Sequence, residues 1–234
     1  MTGPIIVAAT LLSYAVGWAI GIPILVPILN TLASFPFMVL ALKRGDLRLA
    51  VGRMLIWALA MGVAATLLSY ARPAQTSLLF LRAQEYRTEM FNWVLTGVGP
   101  ESTPSQFIPQ QIGHAALFAG VALASGGALA MPMGAVLMNY MGHYVGTLAE
   151  TSAHPGRTLL LAWHPWAVIR VISFVVIGVV LSTPLLSRIV KFKVDWKTAR
   201  LLLVWACAGL VLDVLLKSLL APAWQRVLLR SVGW

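Results

Sequence analysis

Residues 166–187 read WAVIRVISFVVIGVVLSTPLLS and consist almost entirely of apolar side chains. About 20 mainly apolar residues are enough for a helix to cross the hydrocarbon core of a bilayer. Two further runs of this kind occupy residues 51–71 and 200–221. These three runs predict three membrane-spanning helices.

The composition of the whole chain is typical of a protein that is solvated by lipid. Residues of the apolar set AVILMFWYC make up 59% of the 234 residues and charged residues make up 10%, whereas a soluble domain is about 25% charged. The chain has one cysteine, which excludes a disulfide-rich secreted domain. We therefore exclude a soluble enzyme and a disordered chain, and we expect one integral membrane domain over residues 1–234.

Two longer apolar stretches, 4–42 and 111–149, are each about twice as long as one span. A continuous helix of this length would measure about 58 Å, against a hydrocarbon core of about 30 Å. Each stretch contains glycine and proline near its middle, at 21–23 and 126–132, so we predict two broken hairpins. The predicted fold class is all-α, a polytopic transmembrane helix bundle with about seven spans at 4–21, 23–42, 51–71, 111–131, 133–149, 166–187 and 200–221.

The positive charges indicate how these spans are oriented. The formal net charge is +10, and nine of the 17 basic residues fall within the segments 43–53 and 187–200. Loops rich in Lys and Arg stay on the cytoplasmic side, which predicts a cytoplasmic N-terminus and an external segment 72–110. We expect a multi-pass protein of the bacterial inner membrane that binds no nucleic acid. The residues expected to meet anionic lipid headgroups are Lys43, Arg44, Lys191 and Lys193.

The external segment 72–110 contains an amphipathic pattern. Apolar residues recur at spacings of three and four, at Leu79, Ala83, Tyr86, Met90 and Val94. This spacing predicts a helix that begins after Thr76 or Ser77 and ends at Gly97. The helix either lies in the outer membrane interface or forms a lid over a cavity between the spans. Its acidic residues, Glu85 and Glu89, are expected to face water.

Asp213 and Lys217 are ionisable residues inside the last predicted span. Burying such groups in a membrane costs free energy, so they are candidates for functional residues. They lie four residues apart on one helix face, with the acid first, which favours an ion pair within the helix. The alternatives are a proton or cation site at Asp213 and an ion pair with another subunit.

No residue pattern predicts a catalytic, cofactor or metal site. If the second hairpin turns at Pro132, the depths of His114 and His143 in the membrane, measured from that turn, differ by about 11 Å. The sequence contains no HExxH, Walker or GxGxxG motif. Four methionines between 131 and 141 are interpreted as packing residues.

Two GxxxG motifs predict close helix packing. They are Gly17 with Gly21, and Gly142 with Gly146. Small residues at this spacing let helix backbones approach each other in lipid. Either motif is compatible with packing inside the chain or with contact to another subunit.

The two hairpins share a repeated proline–asparagine spacing. Asn30 follows Pro23 by seven residues, and Asn139 follows Pro132 by seven residues. The spacing predicts pseudo-two-fold-related positions near the centre of the protein within an inverted repeat. Broken helices at such positions hold the binding sites of many transporters, whereas the alternative role for each asparagine is a hydrogen bond between helices.

These features lead to one main expectation about function and two alternatives. The main expectation is a non-catalytic integral membrane subunit or scaffold of a larger assembly, with other membrane subunits as partners and no cofactor. The first alternative is a small inverted-repeat transporter or channel for an ion or small solute. The second is a membrane-embedded enzyme that acts on lipids.

Overall fold

The computed structural model describes residues 2–233 and is 84% helical, with no strand in that part of the chain. The predicted all-α helical bundle is therefore confirmed. The helices are α1 (Thr2–Ile20), α2 (Leu25–Leu32), α3 (Phe35–Lys43), α4 (Leu47–Ala71), α5 (Pro73–Leu79), α6 (Ala83–Thr96), α7 (Pro104–Ser125), α8 (Ala130–Glu150), α9 (Pro155–Ala162), α10 (Pro165–Val190) and α11 (Trp196–Val232).

Six segments of the described chain are long and apolar enough to cross a membrane. They are α1, the segment Leu25–Lys43 that contains α2 and α3, α4, α7, α10 and α11. The seventh predicted span, 133–149, corresponds to α8, which is not among them. α8 packs against α4, α6, α2 and α9, and its polar residues Asn139, His143 and Thr147 are buried. A helix that is surrounded by other helices can carry polar side chains that a lipid-facing helix cannot.

The first hairpin turns where the sequence predicts, but its second arm is broken again. Gly21 adopts a φ of +71°, which suits glycine because it has no Cβ. The predicted continuous span 23–42 is divided into α2 and α3 at residues 33–34. Pro36 in the first turn of α3 has no N–H with which to continue the helix, a signal that the hydropathy pattern does not show.

The second hairpin differs from its predicted bounds. Its turn lies at Gly126 and Gly127, with φ values of +60° and +85°. Pro132 lies inside α8 rather than at the turn, because proline is tolerated in the first turn of a helix. α7 begins at Pro104, earlier than the predicted 111.

The segment 72–110, which was predicted to be external and to contain one helix, forms α5, α6 and the start of α7. The chain breaks before α6 at Arg82, which has a φ of 61°, so the predicted start at Thr76 or Ser77 is wrong. Gly97 ends α6 as predicted. The predicted faces are also confirmed, since Met90 and Val94 are buried while Glu85 and Glu89 are exposed. The buried face of α6 packs mainly on α8.

The two basic segments meet at the same end of the bundle. Gly45 and Leu47 of the first line a small cleft together with Phe192 and Lys193 of the second. The four residues predicted to contact headgroups are all exposed, namely Lys43, Arg44, Lys191 and Lys193.

Arg53 differs from the other basic residues of its segment because it is buried. Its guanidinium donates to the carbonyl of Phe37 at 2.7 Å and to the hydroxyl of Thr2 at 3.1 Å. Arg53 therefore joins α4 to α3 and α1 and does not face headgroups.

The GxxxG glycines are used within the chain. A Cβ on Gly142 would lie 2.6 Å from the Ala65 side chain, and one on Gly146 would lie 2.4 Å from the Thr66 carbonyl oxygen, so this motif brings α8 against α4. A Cβ on Gly17 would lie 3.1 Å from the Val26 side chain, so Gly17 packs closely on α2. Gly21, in contrast, is a turn residue, and a Cβ there would meet no atom within 4 Å.

Candidate functional site

A central cavity of about 170 Å³ lies between helices α3, α4, α6, α7, α8, α10 and α11. Its volume is similar to that of engineered apolar cavities of about 150 Å³ that bind benzene. The cavity has two chemically different ends. We call these the charged end, lined by Glu89, Glu101, His114, Arg170 and Lys217, and the apolar end, lined by Met38, Met54, Trp57, Phe118, Met131, Met138, Phe174 and Val179.

One face of α7 lines the cavity along its length. Phe107, Gln110, Gln111, His114 and Phe118 all border the cavity, and their spacings of three, one, three and four residues place them on a single helix face. The polar residues therefore face the cavity in a helix that is otherwise apolar enough to cross a membrane.

Arg170 and Asp213 form a partly buried ion pair at the charged end. Arg170 of α10 donates through Nε to Oδ2 of Asp213 at 2.8 Å and through Nη2 to Oδ1 at 3.0 Å. The amide of Gln111 also donates to Asp213. This two-point contact fixes the guanidinium plane, and Arg170 lines the cavity.

Lys217 forms a second buried ion pair, with Glu101. Its Nζ lies 2.9 Å from Oε1 of Glu101 and 4.3 Å from the centre of the Phe107 ring. The other carboxylate oxygen of Glu101 accepts from the indole N–H of Trp166 at 3.3 Å. Burial by itself would raise the pKa of Glu101, but the charges of Lys217 and Arg170 hold it below its usual value.

These contacts correct the predicted ion pair between Asp213 and Lys217. Both side chains are buried, and each pairs with a residue from another part of the same chain. Arg170, Glu101 and Gln111 were not predicted as site residues. One signal was available: Arg170 is a charged residue inside the apolar run 166–187, and such a residue needs a partner.

The apolar end extends the cavity into the bundle by about half the thickness of a bilayer core. On α10 the lining residues run from Arg170 to Val179, and on α8 they run from Met141 to Met131. At 1.5 Å per residue these stretches measure about 14–15 Å, against a core of about 30 Å. Phe118 and Phe174 meet edge to face in this region, with ring centres 5.0 Å apart.

Asn30 and Asn139 form a direct hydrogen bond beside the cavity. Nδ2 of Asn139 donates to Oδ1 of Asn30 at 3.1 Å. Tyr14 donates to Asn139 at 2.5 Å, and Asn30 donates to Ser13 at 2.8 Å. The backbone carbonyl of Asn30, freed near the break between α2 and α3, accepts from Trp57 at 2.9 Å. The two asparagines thus lie in one buried network.

The two prolines of the repeated proline–asparagine spacing lie in different structural positions. Pro23 lies in the turn before α2, whereas Pro132 lies inside α8. Neither proline lines the cavity, and neither asparagine does. The polar atoms of the Asn30–Asn139 pair are occupied by protein partners, which is the arrangement expected of a hydrogen bond that joins helices.

The two histidines of the second hairpin lie in different environments. His114 lines the cavity, while His143 is buried with Nδ1 3.1 Å from the hydroxyl of Thr76. Within residues 2–233, no group of three or more His, Cys, Asp or Glu side chains could hold a metal ion.

His164 is buried near Glu101 in the loop before α10. It stacks on Trp166 with ring centres 4.8 Å apart, and its Nε2 has no hydrogen-bond partner within the described residues. Burial lowers the pKa of His164 to about 4. The folded protein therefore holds this imidazole in the neutral form.

Stability should depend on pH through His164. Above pH 6.5 the histidine is neutral in both the folded and the unfolded chain. As the pH falls from 6.5 to 4, the unfolded chain binds a proton that the folded chain does not, so the free energy of unfolding should fall by roughly 3 kcal/mol. Unfolding measured in detergent over this pH range should show the decrease. In a His164→Gln variant the free energy of unfolding should decrease less over the same range, by about the amount assigned to His164. An equally steep decrease in the variant would contradict this assignment.

Comparison with known proteins adds no match: no family model, no curated protein and no solved structure is similar to this chain. The geometry of the central cavity is therefore the basis for assigning a function.

Proposed function

We propose that the protein binds an amphiphilic molecule from the membrane in its central cavity. The observation that supports this proposal is the lining of the cavity, which has charged and polar groups at one end and methionine and aromatic side chains at the other. An amphiphile has the same division. Its polar head would lie near Arg170 and Glu89, and one apolar chain would extend toward Met131.

The depth of the cavity supports a molecule that belongs to one leaflet. About 15 Å is half of the hydrocarbon core. The charged end is bordered by exposed side chains of α6, including Glu89, and of α7, including Gln110 and His114. This placement supports entry between α6 and α7, and it supports the role of α6 as a lid.

The methionines support binding of a flexible chain. Met38, Met54, Met131, Met138 and Met141 line the cavity. Methionine is unbranched and adapts to ligands of different shapes, as it does on promiscuous binding surfaces.

The proposed role replaces two sequence-based expectations as the function that the geometry supports best. The expectation of a subunit in a larger assembly depended in part on the GxxxG motifs, and these are used inside the chain through Gly17, Gly142 and Gly146. The expectation of a midplane solute site depended on Asn30 and Asn139, whose side chains are paired with protein groups. A role in moving an amphiphile across or along the membrane is compatible with the cavity.

A substitution that fills the cavity tests the proposal. A Cβ on Gly134 would meet only Phe118, at 3.8 Å, so a leucine side chain there can extend into the cavity. We expect Gly134→Leu to bind a single-chain lysophospholipid at least about tenfold more weakly than the wild type in native mass spectrometry titrations.

Gly120→Leu is the matched control. Gly120 is an exposed helical glycine of α7, and a Cβ there would meet no atom within 4 Å. Leucine is the better helix former at both positions. Gly120→Leu should bind like the wild type. Unchanged binding in Gly134→Leu, or no binding by the wild type, would contradict the proposal.

We also propose that the charged end faces the outside of a bacterial inner membrane. The support is that both basic segments lie together at one end of the bundle, where a cytoplasmic location is favoured. In a Cys207→Ala background, a cysteine at Ser102 should react with an impermeant thiol reagent added outside cells, and a cysteine at Val194 should not. The reverse labelling pattern would contradict this orientation.

A further inference from the structure

The charged end contains one carboxylate more than its cations can pair with. Three cations line this region, and each has a carboxylate partner: Arg82 with Glu85, Arg170 with Asp213, and Lys217 with Glu101. Glu89 also lines the cavity and is the fourth carboxylate of this group, after Glu85, Glu101 and Asp213. Within residues 2–233 it has neither a hydrogen bond nor an ion pair.

Glu89 behaves as a carboxylate that lacks a counter-ion. Partial burial and the negative charge of Glu101 raise the pKa of Glu89, and the positive charges of Lys217 and Arg82 do not cancel this effect. A bound cation next to Glu89 would complete the charge balance of the site.

Two aromatic rings lie in the same part of the cavity. Tyr86 precedes Glu89 by three residues, so both project from neighbouring positions on α6. The Tyr86 ring meets the Tyr140 ring of α8 with centres 4.4 Å apart, and both tyrosines line the cavity. Aromatic faces beside a carboxylate are a common environment for ammonium groups.

Arg170 supplies a positive charge that can bind the phosphate of the same head group. Its Nε and Nη2 are bonded to Asp213, and within residues 2–233 its Nη1 has no hydrogen-bond partner although the side chain is partly exposed to the cavity. Gln110 and His114 on the facing helix line the same region and also have no hydrogen bond in the described chain. These groups can donate to a phosphate.

We propose that the occupant is a phospholipid whose head carries an ammonium group beside its phosphate, with Glu89, Tyr86 and Tyr140 holding the ammonium and Arg170 the phosphate. The inference rests on the proposed amphiphile binding. The cavity volume, about 170 Å³, leaves no room for a second acyl chain.

Paired lysophospholipids test the head group. Lysophosphatidylethanolamine carries a phosphate and an ammonium, whereas lysophosphatidylglycerol of the same chain carries only the phosphate. Competition between them in native mass spectrometry should show that the wild type prefers the ethanolamine lipid by about tenfold, as expected for a hydrogen bond between charged groups. Glu89→Gln keeps the size of the side chain and should remove this preference.

Glu85→Gln is the matched control, because Glu85 lies one turn away on the same helix and already pairs with Arg82 in water. It should keep the preference. Equal binding of both lipids by the wild type, with weak binding of both by Gly134→Leu, would overturn this inference and leave amphiphile binding standing. A preference that survives in Glu89→Gln would also overturn it. Binding of neither lipid would overturn the proposed function and this inference with it.

Discussion

Replacement of Lys217 by methionine is expected to destabilise the protein by about 3–5 kcal/mol, the range typical of breaking a buried ion pair. Lys217 and Glu101 are both buried and lie 2.9 Å apart. Methionine fills a similar volume, so the loss would come mainly from the Glu101 carboxylate, which would be left buried without its cation. Equilibrium unfolding of the purified variant in mixed micelles measures this difference.

Two further variants separate charge from packing. Lys217→Met combined with Glu101→Gln should recover much of the lost stability, because no uncompensated buried charge remains. Arg82→Met should change stability by at most about 1 kcal/mol, since its pair with Glu85 is exposed. Equal effects of Lys217→Met and Arg82→Met would show that the Lys217–Glu101 pair is solvated.

Gly146→Leu is expected to destabilise the protein by more than about 3 kcal/mol, beyond the usual range for overpacking. A Cβ at this position would lie 2.4 Å from the Thr66 carbonyl oxygen and 2.7 Å from the Tyr70 amide nitrogen. Both neighbours are backbone atoms of α4, which cannot move without separating α4 from α8. Because α8 forms one wall of the cavity, this separation should also weaken lipid binding.

Gly120→Leu again supplies the comparison, since it adds the same side chain to a helix at an open position. Its stability should equal or exceed that of the wild type, by up to about 1 kcal/mol. Unfolding curves of the two variants measured side by side check this. A Gly146→Leu protein as stable as Gly120→Leu would mean that α4 and α8 do not pack closely.

Features that depend on local sequence could be predicted. Gly21 and Gly97 end their helices as expected, since a left-handed conformation is a property of one residue and its neighbours. The buried and exposed faces of α6 follow from the 3.6-residue repeat, as Met90 and Glu85 show. The equal spacing of Asn30 and Asn139 from a proline predicted related positions near the centre of the protein, but it did not predict the direct hydrogen bond between them.

Features that depend on how helices approach each other could not be predicted. Lys217 lies four residues from Asp213 in sequence, but α10 brings Arg170 to Asp213 instead, and Lys217 pairs with Glu101. Glu101 lies in a loop whose position depends on the packing of α6 and α11 around it. The second break, between α2 and α3, is stabilised in part by Trp57 of α4, which bonds the Asn30 carbonyl, and this contact has no local signal in 23–42.

The most direct measurement of the central claim is an experimental structure of the wild type crystallised from a lipidic phase. We expect elongated density, not belonging to the protein, that runs from beside Glu89 and Arg170 to the region of Met131. A cavity that is closed by its own methionine and phenylalanine side chains, with no density for a bound molecule, would contradict amphiphile binding.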